Sequence, residues 1–345
     1  MPPLPSSLIL HLSDLHFGTR QDAASWYNQL AEDLNQELRV SRLDAVILSG
    51  DIANYSTPEE YDAAHHFLDL LAGEFHISAA QIILVPGNHD LNWGLAKKAY
   101  TIMDREQYTG ELKDGCFIPV GEDAVRVRDE ALYKKRFDNF AAFYQTIRGE
   151  AYPLEYEDQG LLYHVPTANL LILGLNSAWE LDHHFRKRAG IHREALNAAL
   201  TRIRMSPDNV KKCLKIAVWH HPLHSASEDR ITDAGFLEQL AKAEFRLALH
   251  GHIHKVDANS YLYDMSRAGR RLNLVCAGTF GAPVREWVPG YPLQYNLLRF
   301  QGNMLTVETR RREELNGAWK PDARWLRGKT QDPMPRYSIE LFATP

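Results

Sequence analysis

Apolar and polar residues alternate along this chain with two periods. Short runs rich in Val, Ile and Leu recur at SLILHL (7–12), DAVILS (44–49), QIILVP (81–86), LKIAVW (214–219) and FRLALH (245–250). Runs of this length, closed by Gly, Pro or polar residues, read as buried strands. Between them the period lengthens to that of a helix. Tyr27, Leu30, Leu34 and Leu38 share one face, as do Tyr61, Ala64, Leu68 and Leu71, and later Leu196, Ala199, Leu200 and Ile203. Thr57-Pro58-Glu59-Glu60 spells a capping box with Pro at the first helical position. This β–α alternation predicts an α/β chain with a parallel or mixed sheet and helices packed on it. Later the pattern changes. SYLYDM and RLNLVCAG flank a turn containing Gly269, and YNLLRF and MLTVETR flank Gln301-Gly302-Asn303. Both predict antiparallel hairpins, with a final strand at RYSIEL.

Each strand-like run leads directly into a short polar fragment. DLH follows at Asp14–His16, GD at Gly50–Asp51, GNHD at Gly87–Asp90, HHP at His220–Pro222 and GHIH at Gly251–His254. In open α/β sheets function gathers in the loops beyond the carboxyl ends of the strands. The fragments supply Asp, Asn and His in a mixture that suits two divalent cations. Any one of them alone reads as a turn or a satisfied core residue; the ordered set reads as a metal site.

The set resembles the signature of the calcineurin-like metallophosphoesterase superfamily: D-x-H, GD, GNH(D/E), H and GH-x-H in that order. Within it the chain is most similar to the bacterial branch holding the class III cyclic-nucleotide phosphodiesterases, through NLLILGLNSAW (169–179), Gly190 and the helix 192–203. Asn176 stands where that branch often has Asp, and no Arg follows GNHD. The resemblance covers about residues 7–282 and implies two mixed β-sheets packed as a sandwich and flanked by helices; the domain is expected over 1–310, with a C-terminal extension over 311–345. It implies that Asp14, His16 and His254 bind one metal, that Asn88, His220 and His252 bind a second, and that Asp51 bridges them. His89 would be the general acid, oriented by Asp90. The implied reaction is hydrolysis of a phosphodiester of a cyclic or other small nucleotide, by attack of a hydroxide bridging the metals.

The segment 95–160 lacks motif residues and separates the third fragment from the fourth. Tyr133, Phe137, Phe140 and Tyr144 recur there at helical spacing, which predicts a face packed on the core within a helical insertion or cap. Asn176, His183, His184 and His224 are candidate substrate-lining residues. His221 and His250 adjoin ligands and read as partners fixing imidazole orientation, and Arg310 to Arg312 read as a solvated charge run.

A ligand set of imidazole, carboxylate and amide without thiolate favours Mn, Fe, Zn, Co or Ni, with Mn or Fe first. The three cysteines, at 116, 213 and 276, have no paired spacing, and Cys213 and Cys276 lie in apolar runs. That suits a reducing cytoplasm, the expected localisation. A net charge of −5 disfavours a general nucleic-acid or anionic-membrane surface, and no apolar stretch is long enough for a membrane span. The resemblance implies a small phosphodiester as partner, with nucleic acid possible but not favoured and oligomeric state open. A metal-dependent nuclease, a phosphomonoesterase or protein phosphatase, and a non-catalytic metal-binding scaffold remain the alternatives. A basic groove would mark the nuclease, and a diester-against-monoester assay would separate the first two hydrolases.

Overall fold

The computed structural model describes residues 4–111, 113–224, 229–252, 258–262, 271–281, 292–314, 317–323, 325–327 and 332–342. Two mixed sheets form the body. In the first, Leu4–Leu12 runs parallel to Ala45–Leu48, which is parallel to Ile82–Leu84. On its other edge Leu4–Leu12 pairs antiparallel with Leu293–Gly302, which continues into Met304–Arg312. The second sheet runs Ala258–Leu262, Arg271–Cys276, Phe245–His250, Leu214–Val218, Leu170–Leu175, Gly160–Val165, with the four middle strands parallel. The motif-bearing strands all have parallel neighbours; four lie inside their sheets and Ile82–Leu84 closes the edge of the first.

Strand alternation assigns the two faces of the second sheet. Leu170, Ile172, Leu214, Ile216, Val218, Leu247 and Leu249 point into a core shared with Ile9, Val46 and Ile83 of the first sheet. Leu171, Leu173, Leu175, Ala217 and Ala248 point the other way, onto Leu196, Ala199 and Ile203 of the helix Arg193–Met205. The result is a sandwich with helices outside. The capping box forms as spelled: Thr57 Oγ1 accepts from Glu60 N, and Glu60 Oε2 accepts from Thr57 N at 3.0 Å.

The later hairpins also form: Ala258–Leu262 pairs with Arg271–Cys276, and Gln301 pairs with Met304 across Gly302-Asn303. The turn containing Gly269 lies outside the described residues. Arg336–Glu340 is the expected last strand, and it joins Met304–Arg312 in the first sheet.

Two expectations need correction. The segment 95–160 is not purely helical. It carries a three-stranded antiparallel sheet, Tyr100–Asp104, Ala124–Arg128 and Phe117–Val120, before the helix Asp138–Arg148. Its aromatic stripe is buried and splits between two cores, Tyr133 and Phe137 in one, Phe140 and Tyr144 in the other. Nor is the run Arg310 to Arg312 solvated: Arg310 and Arg312 are buried. Arg310 donates to Asp33, whose carboxylate also takes the Tyr295 hydroxyl, and the Arg312 guanidinium lies over the Trp319 ring. A buried charge needs such a partner, because stripping its water is otherwise too costly.

Candidate metal centre

At each motif the chain leaves a strand and turns at once. Asp14, His16, Asp51 and His252 all adopt left-handed backbone, with φ of 52°, 48°, 53° and 70°. The turns are tied together: Asp14 N donates to the Gly50 carbonyl, Leu15 N and His16 N to the Asp51 carbonyl, and Gly251 N to the His220 carbonyl. Glycine is required where one turn passes another's side chain. A Cβ at Gly87 would lie 2.2 Å from Asp51 Oδ1, and one at Gly50 would lie 2.5 Å from His220 Nδ1.

This brings Asp14, His16 and Asp51 together, with one ligand-type atom from each within 4.8 Å of the others, and likewise His220, His221 and His252. Asp51 adjoins both groups. It accepts from His89 N at 2.8 Å and lies 3.0 Å from His220 Nε2, while Asp14 accepts from His252 N at 2.9 Å. Burial alone would raise the Asp51 pKa, but His220, His89 and His16 outweigh it and hold the carboxylate well below its usual range.

The hydrogen bonds define which nitrogen can do what. His220 Nδ1 lies 2.8 Å from the Ser49 carbonyl, an acceptor only, so Nδ1 carries the proton. Nε2 of the neutral ring then aims a lone pair at Asp51 Oδ2, and His252 Nδ1 is 3.2 Å away. Only a cation or a proton relieves that conflict. Burial opposes protonation, yet Asp51 raises the His220 pKa to about 9. The Oδ1 of Asn88 is buried with no hydrogen-bond partner among the described residues, as a metal-facing amide oxygen would be. The donor set therefore fits divalent transition metals. His254 lies outside the described residues.

His89 is held differently from expectation. Its Nδ1 lies 2.8 Å from the Asn54 carbonyl, so Nε2 is the titrating atom. Burial lowers its pKa, but Asp51 and the Asn54 carbonyl more than compensate, and the net shift is upward. Asp90 does not orient the ring. It is fully buried and gathers the backbone instead, accepting from Ile52 N, Ala53 N, Gly87 N and the Tyr61 hydroxyl. Asp90 thus clamps the second motif to the third.

His221 also differs from its sequence reading. Ser177 Oγ accepts from His220 N and His221 N, so its own proton goes to His221 Nδ1, 2.8 Å away. Burial, His252 and His220 hold this ring well below the usual imidazole value, hence neutral. Its Nε2 is then an N–H, and it is buried without a partner among the described residues. His250 is buried, with Nδ1 3.3 Å from the Gly251 carbonyl.

A cleft of about 700 Å³ opens over the centre, lined by Asn88, His89, His221 and His252 and walled by Tyr55 and Trp93. None of the four candidate lining residues is on it. Asn176 is buried, bonding Gln159 and Ala178 N, so it shapes its own turn. His183 and His184 pack edge-on against Tyr100. His224 is exposed. The residues missed from sequence are Ser177, Asn54, Tyr61 and Trp93. Trp93 was the most findable, five residues after Asn88 and donating its indole N–H to the Asn88 carbonyl at 3.1 Å.

The chain belongs to the calcineurin-like phosphoesterase family, whose family model matches residues 7–256. A stretch of 90 residues is 37% identical to the glycerophosphodiester phosphodiesterase GpdQ of Enterobacter lignolyticus, covering 24% of this chain and 29% of that protein. The chain thus spans under a third of that relative's length. Solved structures with a similar course include PhoD, at 12% identity and a TM-score of 0.49 over 92% of this chain and 69% of that one. Another is GAP50, described as the anchor in the inner membrane complex of Plasmodium, at 11% identity and 0.44 over 99% and 90%. Among the described residues no helix is long and apolar enough to cross a membrane.

Proposed function

We propose that this chain hydrolyses small phosphodiesters, with nucleotides the first class to test, at a centre built for two divalent metals. The observation that carries the reading is Asp51. It is a buried carboxylate that belongs to one group of ligand-type atoms and touches the other, 3.0 Å from His220 Nε2. In this reading Asp14 and His16 hold one ion, completed by His254, while Asn88, His220 and His252 hold the other and Asp51 serves both. Mn and Fe are the favoured occupants, ahead of Zn, Co and Ni. When bound, such ions supply Lewis acidity, activating water and offsetting charge on the phosphoryl oxygens.

The chain's own residues supply the rest. His89, fixed through Nδ1 by Asn54, presents Nε2 to the cleft, and its raised pKa keeps a proton there for the departing ester oxygen. His221, set by Ser177 as an Nε2–H donor, offers a hydrogen bond to an anionic phosphoryl oxygen. Asp90 keeps Asp51, Asn88 and His89 in register through the backbone it gathers.

The test is turnover of bis-p-nitrophenyl phosphate against p-nitrophenyl phosphate by protein stripped with chelator and reloaded with Mn²⁺. Faster turnover of the diester, lost on chelation and regained on reloading, is expected. Fully loaded protein with no diester turnover under any of the five metals would refute the reading. Linear single-stranded and duplex DNA as further substrates separate a nuclease from a small-molecule enzyme.

A further inference from the structure

Arg186 places a guanidinium on the wall of the cleft, which Asp229 also lines. It is exposed, lines the same cleft as His89 and His252, and makes no ion pair among the described residues. Its loop is nevertheless well anchored. Asp182 accepts from His184 N, Phe185 N and the Tyr100 hydroxyl, and Gly190 N donates to the Ser177 carbonyl. Arg188, two residues on, is paired with Glu180 at 3.1 Å and Asp114 at 3.0 Å, so the anchoring cation of the loop and the available one are different residues. The Arg186 guanidinium lies over the Trp93 ring, 5.8 Å from its centroid, and the same indole bonds the Asn88 carbonyl. Trp93 therefore stands between Arg186 and the metal-capable floor. An aromatic face holds a guanidinium in place without neutralising it.

We infer that Arg186, propped on Trp93, binds a second anionic group of the substrate, and that the enzyme selects phosphodiesters carrying one. This rests on the phosphodiesterase reading above and names what that site prefers. The scissile phosphate belongs at the buried floor, beside His89, His221 and His252. Arg186 sits at the exposed mouth with an indole between. A cleft of about 700 Å³ is on the order of 10 Å across and takes a ligand far larger than one phosphate. A guanidinium recognises phosphate or carboxylate by paired N–H donors.

Calorimetric titration of metal-loaded protein with thymidine 3′,5′-bisphosphate and with thymidine 5′-monophosphate tests this in either binding orientation. The bisphosphate should bind at least ~10-fold tighter to the wild type, a ratio worth about 1.4 kcal/mol. Arg186→Gln should collapse the ratio to within about twofold, and Arg186→Lys should restore part of it. Equal affinities in the wild type, or a ratio that survives Arg186→Gln, would overturn the inference. So would an Arg186→Gln variant that weakens both ligands by the same factor, since Arg186 would then act on the phosphate at the floor. The binding ratio is read without turnover. A protein that shows it yet hydrolyses no diester keeps the anion site and loses the hydrolase reading.

Discussion

Replacing Asp90 with Asn tests whether this carboxylate organises the loops or tunes His89. Oδ1 accepts from Ala53 N at 3.1 Å, Ile52 N at 3.2 Å and the Tyr61 hydroxyl at 3.0 Å, and Oδ2 from Gly87 N at 2.8 Å. In Asp90→Asn the best orientation keeps oxygen toward the three donors and turns the amide NH₂ against the Gly87 N–H. One buried donor is stranded, at about 1–3 kcal/mol, and three bonds lose charge assistance, at about 1 kcal/mol each. Relief works the other way: burial and Asp51 both push the Asp90 pKa up, so the ionised form is already held at a cost. A net destabilisation of about 2–4 kcal/mol is expected, read from urea unfolding of the metal-free protein. Metal stoichiometry should fall with it, because the clamped segments carry Asp51 and Asn88. Unchanged stability and metal content, with activity lost only on substrates with poor leaving groups, would refute the clamp and return Asp90 to His89.

Three further outcomes follow from the same geometry. His89→Ala should retain metal yet lose ~10²-fold or more on an alkyl diester and far less on a nitrophenyl one, whose leaving group needs little protonation; equal losses would remove His89 as proton donor. Gly87→Ala should cut metal content, since its Cβ would lie 2.2 Å from Asp51 Oδ1, and elemental analysis at full occupancy would contradict that contact. Ser177→Ala strips the acceptor from two buried N–H groups and frees the His221 tautomer. A loss of about 1–3 kcal/mol in unfolding free energy is expected, with a rise in KM for diesters; unaltered values would show the tautomer is set elsewhere.

The parts legible in sequence share a physical reason. Central parallel strands are buried on both faces and so read as unbroken apolar runs, and their carboxyl-end loops announce themselves by residue types that suit metals. What stayed hidden depends on partners distant in the chain. Ser177 has an unremarkable side chain until His220 and His221 arrive beside it. Asn54 contributes a backbone carbonyl, which no sequence pattern marks. Arg310 looks like one charge in a solvated run because its counter-charge, Asp33, lies at the far end of the chain. The strands of the 95–160 insertion were missed because they are short and half exposed, leaving no continuous apolar run to read. His89 was recognisable as a reactive imidazole, but its orienting group was not: the family resemblance implied Asp90, and the group beside Nδ1 is the Asn54 carbonyl.

The left-handed backbone at Asp51 yields a prediction that separates the residue's chemistry from its conformation. An L-residue with φ near 53° costs about 1–2 kcal/mol relative to ordinary helical or extended backbone, and glycine escapes that cost. Asp51→Gly and Asp51→Ala both delete the carboxylate, both leave His89 N without its acceptor, and both keep the carbonyl that takes Leu15 N and His16 N. The difference between them therefore isolates the turn. Glycine gains the relieved strain and gives back about 0.4–1 kcal/mol through its freer unfolded chain. Metal-free Asp51→Gly should accordingly be more stable than Asp51→Ala by about 0.5–1 kcal/mol in urea, while both fail to hold metal. An alanine variant more stable than the glycine one by about 0.4–1 kcal/mol would mean the turn carries no strain at Asp51. The requirement for Asp there would then be purely that of a ligand.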